Sequence, residues 1–210
     1  MNNPARIRYD EGCLAAHALN VIGDRWALLV VRELMLTPKR FQKIRQGLPG
    51  ITAAVLTQRL GQLAEAGIVT HDKDLGIYSL TQSGKDLLPM MQAMCRWGAQ
   101  HPGHDPRRFI SPTALMLSMS AMIRPSGQMG SAGFILSGDG FVQQIGSDGR
   151  VQISVTPDPQ ADFVVEGDAN TVAWLIYGPD SAAEMHQQGR VTIRGDLVAA
   201  QAYIDQFALA

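Results

Sequence analysis

Apolar positions in the first hundred residues recur at helical spacing, most cleanly between Thr52 and Ala66. Leu56, Leu60 and Leu63 fall at i, i+4 and i+7, so they line one stripe that must face a core. The opposite face carries Ala54, Gln58, Gly61 and Glu65. Thr52 is placed to cap the start of this helix, and Gly67 can take the left-handed conformation that ends it. Upstream, RFQKIRQG predicts a short helix. Leu48-Pro49-Gly50 breaks the chain between the two, because Pro49 disfavours helical geometry in Leu48 and Gly50 tolerates unusual dihedrals. A short helix, a sharp turn and a helix with a polar outer face fit a helix-turn-helix. The same stretch also fits an ordinary helical hairpin.

After a polar arm (1–12), a helix is predicted over CLAAHALNVIG (13–23). A second follows from about Trp26 to Leu36, with Asp24 as its cap and Thr37-Pro38 closing it. Beyond the helix-turn-helix pattern, IVTHD (68–72) and GIYSL (76–80) read as a small hairpin. A hairpin in that place is a wing, with Lys73 near its tip able to reach a phosphate and Asp72 and Asp74 weakening the contact. TQSGKDLLPMMQAMCRWG reads as one helix opened by Thr81 and kinked at Pro89. Its Met-rich stripe suits either intramolecular core or a dimer surface.

Residues 100–112, rich in Pro, Gly and charge, read as a linker, which gives domains at 1–100 and 113–210. A Met- and Leu-rich helix (113–120) precedes strand-like runs turned by Asp139-Gly140 and Asp148-Gly149. These form a three-stranded meander with a fourth strand at 161–167. Asp168 caps a helix through Trp174 to Tyr177, and Pro179 opens a second short one. A strand (189–195) and an amphipathic helix from Asp196 to Phe207 close the chain. The predicted architecture is a mostly-α winged helix-turn-helix domain followed by an α+β domain, with a mainly antiparallel sheet carrying helices on one face.

With 46% hydrophobic residues in 210, a sizeable core is available. The longest strongly apolar run, WALLVV (26–31), is far short of a membrane span, and no basic-then-apolar segment opens the chain. The expectation is a cytoplasmic protein without membrane insertion. Cys13 and Cys95 cannot make a disulfide framework or a four-ligand zinc site, and His101 and His104 lack a third ligand, so no metal or cofactor is expected. No Gly-rich phosphate loop, nucleophile elbow or HExxH motif marks an enzyme.

Charge separates the two halves. Residues 1–101 hold twelve Lys or Arg against eight Asp or Glu, whereas 102–210 hold six against eleven. Between Arg32 and Arg59, six basic residues (Arg32, Lys39, Arg40, Lys43, Arg45, Arg59) accompany a single acid, Glu33. Such a concentration of positive potential suits a phosphate partner, although a solvated helix face carries the same signature.

The motifs CLAAHALNVIGDRW, RFQKI, LPGITAAVLTQRLGQLAEAGIV and YSLTQSGKDLLPMMQAMCRWG, in that order over roughly residues 10–100, resemble the HxlR family of winged helix-turn-helix transcriptional regulators. The resemblance implies homodimers on two-fold symmetric operators in double-stranded DNA, with the first and last helices of the domain at the dimer interface. By position, Thr52, Ala54, Thr57 and Gln58 would enter the major groove, with Arg40 and Arg59 on the backbone. The family usually has a basic residue where Ala54 stands, so affinity or sequence preference should differ. Gln58 can make a bidentate contact to adenine and the Ala and Thr methyls can pack on thymine, so an A/T-leaning half-site is expected. Cys13 matches a position that senses oxidants or electrophiles in some members. A helix N-terminus lowers a thiol pKa, Asp10 and Glu11 raise it, and the competing reading is a small apolar residue packed near the dimer interface. Cys95, in an apolar stripe, is expected to be buried.

The series DFVVEGDANTVAWLIYG, GRVTIRGD and AYIDQF, within about 112–208, resembles the sterol carrier protein type 2-like fold. That resemblance implies a cavity for lipids or other apolar molecules between sheet and helices. Met116, Met119, Phe134, Trp174 and Tyr177 are candidate lining residues, and each could equally be plain core. The functional expectation is a DNA-binding transcriptional regulator, homodimeric and modulated by a small apolar ligand. The alternative is a lipid or small-molecule carrier whose winged helix serves protein contacts.

Overall fold

The computed structural model describes residues 8–124 and 128–209. Residues 1–7 of the polar arm therefore lie outside the described residues. The chain divides into two compact units, Met1–Leu87 and Leu88–Ala210.

In the first unit, α1 (Leu14–Ile22) and α2 (Ala27–Leu34) lead to a two-residue strand β1 (Lys39–Arg40), then α3 (Phe41–Gln46) and α4 (Ala53–Glu65), then the hairpin β2 (Val69–Asp72) and β3 (Ile77–Leu80), and finally the short α5 (Gln82–Lys85). Leu56, Leu60 and Leu63 of α4 are buried with Val30 and Val31 of α2 and Ile44 of α3. The predicted ends of α4 are present. The Thr52 hydroxyl accepts the Val55 amide at 3.3 Å. Past Ala66, Gly67 adopts φ +70, and the Ile68 amide reaches back to the Leu63 carbonyl at 2.9 Å.

Three features of this unit differ from the sequence reading. β1 was not foreseen. It pairs antiparallel with β3 (Lys39↔Tyr78, Arg40↔Ile77), giving the sheet order β1-β3-β2, and a two-residue strand is too short to show alternation. Trp26 rather than Asp24 occupies the cap position of α2, without a side-chain bond of its own. The helix read as continuous from Thr81 is two helices, α5 and α6 (Leu88–Gln100), broken before Pro89 rather than kinked at it. Pro89 stands in the first turn of α6, where its missing N–H would have no intrahelical partner anyway.

Helix α6 groups with the second unit: the Gln92 amide donates to Ser120 Oγ at 3.1 Å on α7 (Pro112–Met122). The segment read as a linker thus falls inside that unit. It continues through β4 (Gly130–Leu136), β5 (Asp139–Ile145), β6 (Val151–Val155), β7 (Phe163–Gly167), α8 (Ala169–Tyr177), α9 (Ala182–Gln187), β8 (Thr192–Gly195) and α10 (Leu197–Ile204). The sheet order is β6-β5-β4-β7-β8. β4–β5, β5–β6 and β7–β8 are antiparallel, but β4 and β7 run parallel, so the sheet is mixed rather than mainly antiparallel. Local turn signals reveal hairpins; nothing local records in which direction β7 returns to β4.

One face of this sheet is the core. Ala132, Phe134 and Leu136 alternate along β4 and are buried, and Phe134 sits opposite both Phe141 and Val165 in the register. Caps fix the surrounding helices. Ser111 caps α7, Asp168 caps α8, and Ser181 with Glu184 forms a reciprocal capping box on α9. Among the described residues, no single helix is long and apolar enough to cross a membrane.

Candidate nucleic-acid interface

Helix α4 presents a continuous outer face. Thr52, Ala54, Thr57, Gln58 and Gly61 are exposed, and the three leucines behind them are at most 2% exposed. The stripe that anchors the helix therefore also aims its polar face outward. Arg40, the cap residue of α3, is exposed beside the turn, and Lys73 is exposed in the hairpin connection. The Asp72 carboxylate accepts the Asp74 and Leu75 amides at 3.0 Å and shapes that connection, so it is committed to the turn. On the wing, His71 and Tyr78 stack face to face across the strands with ring centroids 4.1 Å apart.

The basic residues are not equivalent. Arg59, read as a backbone contact, is turned inward: its guanidinium pairs with Asp24 at 2.5 Å and also meets the Gln62 side chain. Lys39 is buried and pairs with Glu33 at 3.0 Å, while Arg32 pairs with the other oxygen of Glu33 at 2.9 Å. Three of the six cations in the basic cluster are thus part of the scaffold, and Arg40 and Arg45 are exposed. Sequence reasoning missed these pairings. The one signal available was a lone acid, Glu33, among cations.

Cys13 occupies the cap position of α1 and is exposed. The backbone amides of Ala16 and then Ala15 hold its thiol below the ordinary value, and the expected upward pull of Asp10 and Glu11 does not prevail. Cys95 is half-buried rather than enclosed.

In the second unit a cleft of about 460 Å³ is walled by the end of α8, the connection that leads to α9, and α10 with the residues after it, including Tyr177, Asp180, Ser181, Gln201 and Phe207. Of the five candidate lining residues, Tyr177 lies in this wall. Met116, Met119 and Phe134 are fully buried in the core, and the Trp174 indole donates to Asp180 at 2.8 Å. Burial pushes the Tyr177 phenol up, against the opposing hydrogen bond with Ser118 at 2.9 Å. No group of three or more His, Cys, Asp or Glu able to hold a metal is found among the described residues.

The model of the HxlR-like helix-turn-helix family matches residues 21–106. A protein of Methanothermobacter thermautotrophicus named as an HTH-type transcriptional regulator is 32% identical over 97 residues, which cover 44% of this chain and 74% of that protein. The chain belongs to the HxlR-like helix-turn-helix family. Another relative, the HTH-type transcriptional regulator Mb3122 of Mycobacterium bovis, is 32% identical over 96 residues, which cover 43% of this chain and 60% of that protein. The quinone-bound structure of YodB from B. subtilis is 36% identical over 42% of this chain and 99% of that one, with a TM-score of 0.39. The HxlR-like match takes in all of α2 to α6 and so extends past the end of the first compact unit.

Proposed function

We propose that the protein is a sequence-specific DNA-binding transcriptional regulator that acts as a homodimer, with α4 as its recognition helix. The observation that carries this reading is the outward face of Thr52, Ala54, Thr57 and Gln58 on a helix braced by three buried leucines, in a chain of the HxlR-like family. Gln58 reads adenine and the Ala54 and Thr57 methyls pack on thymine, while Arg40 and Lys73 hold phosphates. Arg59 orients α4 through Asp24 instead of touching the duplex. Self-association is supported by the apolar side chains that α1 exposes, Leu14 and Leu19, and by Met94 and Trp97 exposed on α6. Residues 1–100 then act as the DNA-binding and dimerisation domain. Residues 113–210 act as a sterol carrier protein type 2-like domain that modulates it through a small apolar ligand. The cavity assigned to such a ligand is the cleft beside Tyr177, whose lining combines Ile176 and Phe207 with Arg124, Asp180 and Asp205 and so suits an apolar molecule that carries a polar end.

Selection from a randomised duplex pool tests the reading. It should return paired A/T-leaning half-sites, with affinity falling as salt rises by a slope of about 0.9 per phosphate contacted. Recovery of G/C-only motifs would remove the base-reading roles. Binding that ignores ionic strength, or a monomer in sedimentation, would remove the regulator model. Co-purified lipid together with no duplex binding at all would favour the carrier.

A further inference from the structure

Glu33 is 1% exposed, and both of its carboxylate oxygens are engaged. Oε1 accepts the Arg32 guanidinium at 2.9 and 3.1 Å, and Oε2 accepts the Lys39 ammonium at 3.0 Å. The two cations reach different elements: Arg32, beside Glu33 on α2, touches the end of α3, and Lys39 stands in β1. Arg32 continues through its second contact to the Gly47 carbonyl at 3.0 Å, at the end of α3 where the turn into α4 begins. Lys39 is in β1, which pairs with wing strand β3 opposite Tyr78, and its inward orientation sends the next residue, Arg40, outward. Gly47 lets the carboxylate in, since a Cβ there would overlap the Glu33 oxygens.

We infer that Glu33 is a positioning residue that fixes the wing and the recognition helix relative to one another, so that Arg40 and Gln58 meet a duplex as one surface. The inference rests on the DNA-binding reading above. Its chemistry is specific: the Lys39 pair needs β1 in place, the Arg32 bond to Gly47 needs the end of α3 in place, and Glu33 holds both cations, with a charge left buried without its partner strongly unfavourable. Loosening one arm frees one element and leaves the other held.

Amide hydrogen exchange on the full chain without DNA separates this from general destabilisation. R32M should speed exchange at Gly47 to Ile51 by about tenfold and leave Tyr78 unchanged; K39M should do the reverse, and E33Q should loosen both. Anisotropy titrations with the duplex recovered by selection add the functional arm. R40A should weaken the wild type yet have little further effect in K39M, and Q58A should behave likewise in R32M, a coupling of about fivefold or more in each cycle. Uniform loosening by R32M and K39M, or additive cycles, overturns the inference. Should E33Q fail to fold, the two single-cation variants still decide it. A wild type that binds no duplex would sink the preceding functional reading, and the selective exchange pattern would still show whether Glu33 joins the two elements.

Discussion

The two units bury polar groups in opposite ways. The first encloses charge, Glu33 and Lys39, whereas the second encloses uncharged groups, Gln143, Gln206, Ser111 and Thr113. Gln143 is at the centre of the second core, donating to the Met116 carbonyl at 3.4 Å and accepting the Tyr203 hydroxyl at 3.3 Å. A small helical unit has little apolar surface to bury, and its short pieces α3 and β1 have few packing contacts of their own. Ion pairs locate them where packing alone would leave slack. The larger sheet unit is located by its aromatic and aliphatic face, and its neutral polar groups need only be satisfied.

This contrast can be broken by substitution. E33Q should destabilise the first unit by about 3–5 kcal/mol in denaturant unfolding, because Lys39 then keeps a buried charge without its counter-ion. In the second unit, Y203F leaves Gln143 Oε1 without its donor and should cost about 1–3 kcal/mol. The double variant Q143M/Y203F, which removes both partners, should recover most of that. An unfolding curve in which the double variant is as damaged as E33Q would show that the second core relies on its polar groups as the first does.

A smaller effect concerns the α8 cap. Burial opposes ionisation of Asp168, but bonds from the Thr171 hydroxyl and amide outweigh it and hold the carboxyl below its ordinary value near 3.8. A carboxyl depressed in the folded state contributes stability above its unfolded value and loses it as pH falls through the folded one. D168A should therefore cost about 1 kcal/mol at neutral pH. The gap to wild type should narrow below about pH 4, read from thermal unfolding across pH. The least disruptive test leaves the fold untouched. Iodoacetamide should label Cys13 several-fold faster than Cys95, with its rate rising at a lower pH than for an ordinary thiol, as followed by mass spectrometry. Equal rates would place the two thiols in equivalent surroundings.

What the sequence disclosed follows the range of the forces involved. Thr52, the leucine stripe, Gly67 and the capping of α8 by Asp168 were readable because each acts within a turn or two of its own helix. The pairing of Arg59 with Asp24 was not readable, because the two lie far apart in the chain and no periodicity announces an ion pair. Lys39 is only six residues from its partner Glu33, yet that separation fits neither helix nor strand spacing, so it counts as surface charge in the sequence. In the second unit, Met116, Met119 and Phe134 were correctly apolar, but spacing does not distinguish a residue that fills space from one that lines it. The parallel return of β7 was hidden because it depends on the path of the whole chain between residues 137 and 162.

The bridge between Ile123 and Phe207, with the Arg124 amide on the Gln206 carbonyl at 2.7 Å, sews the end of α7 to the segment that follows α10. That seam joins two segments remote in sequence, so the end of α7 is held only while the segment after α10 is docked against it. Unpicking it should accordingly leave the Met-rich side of α7 open to proteases, a vulnerability set by one short bridge rather than by the sheet.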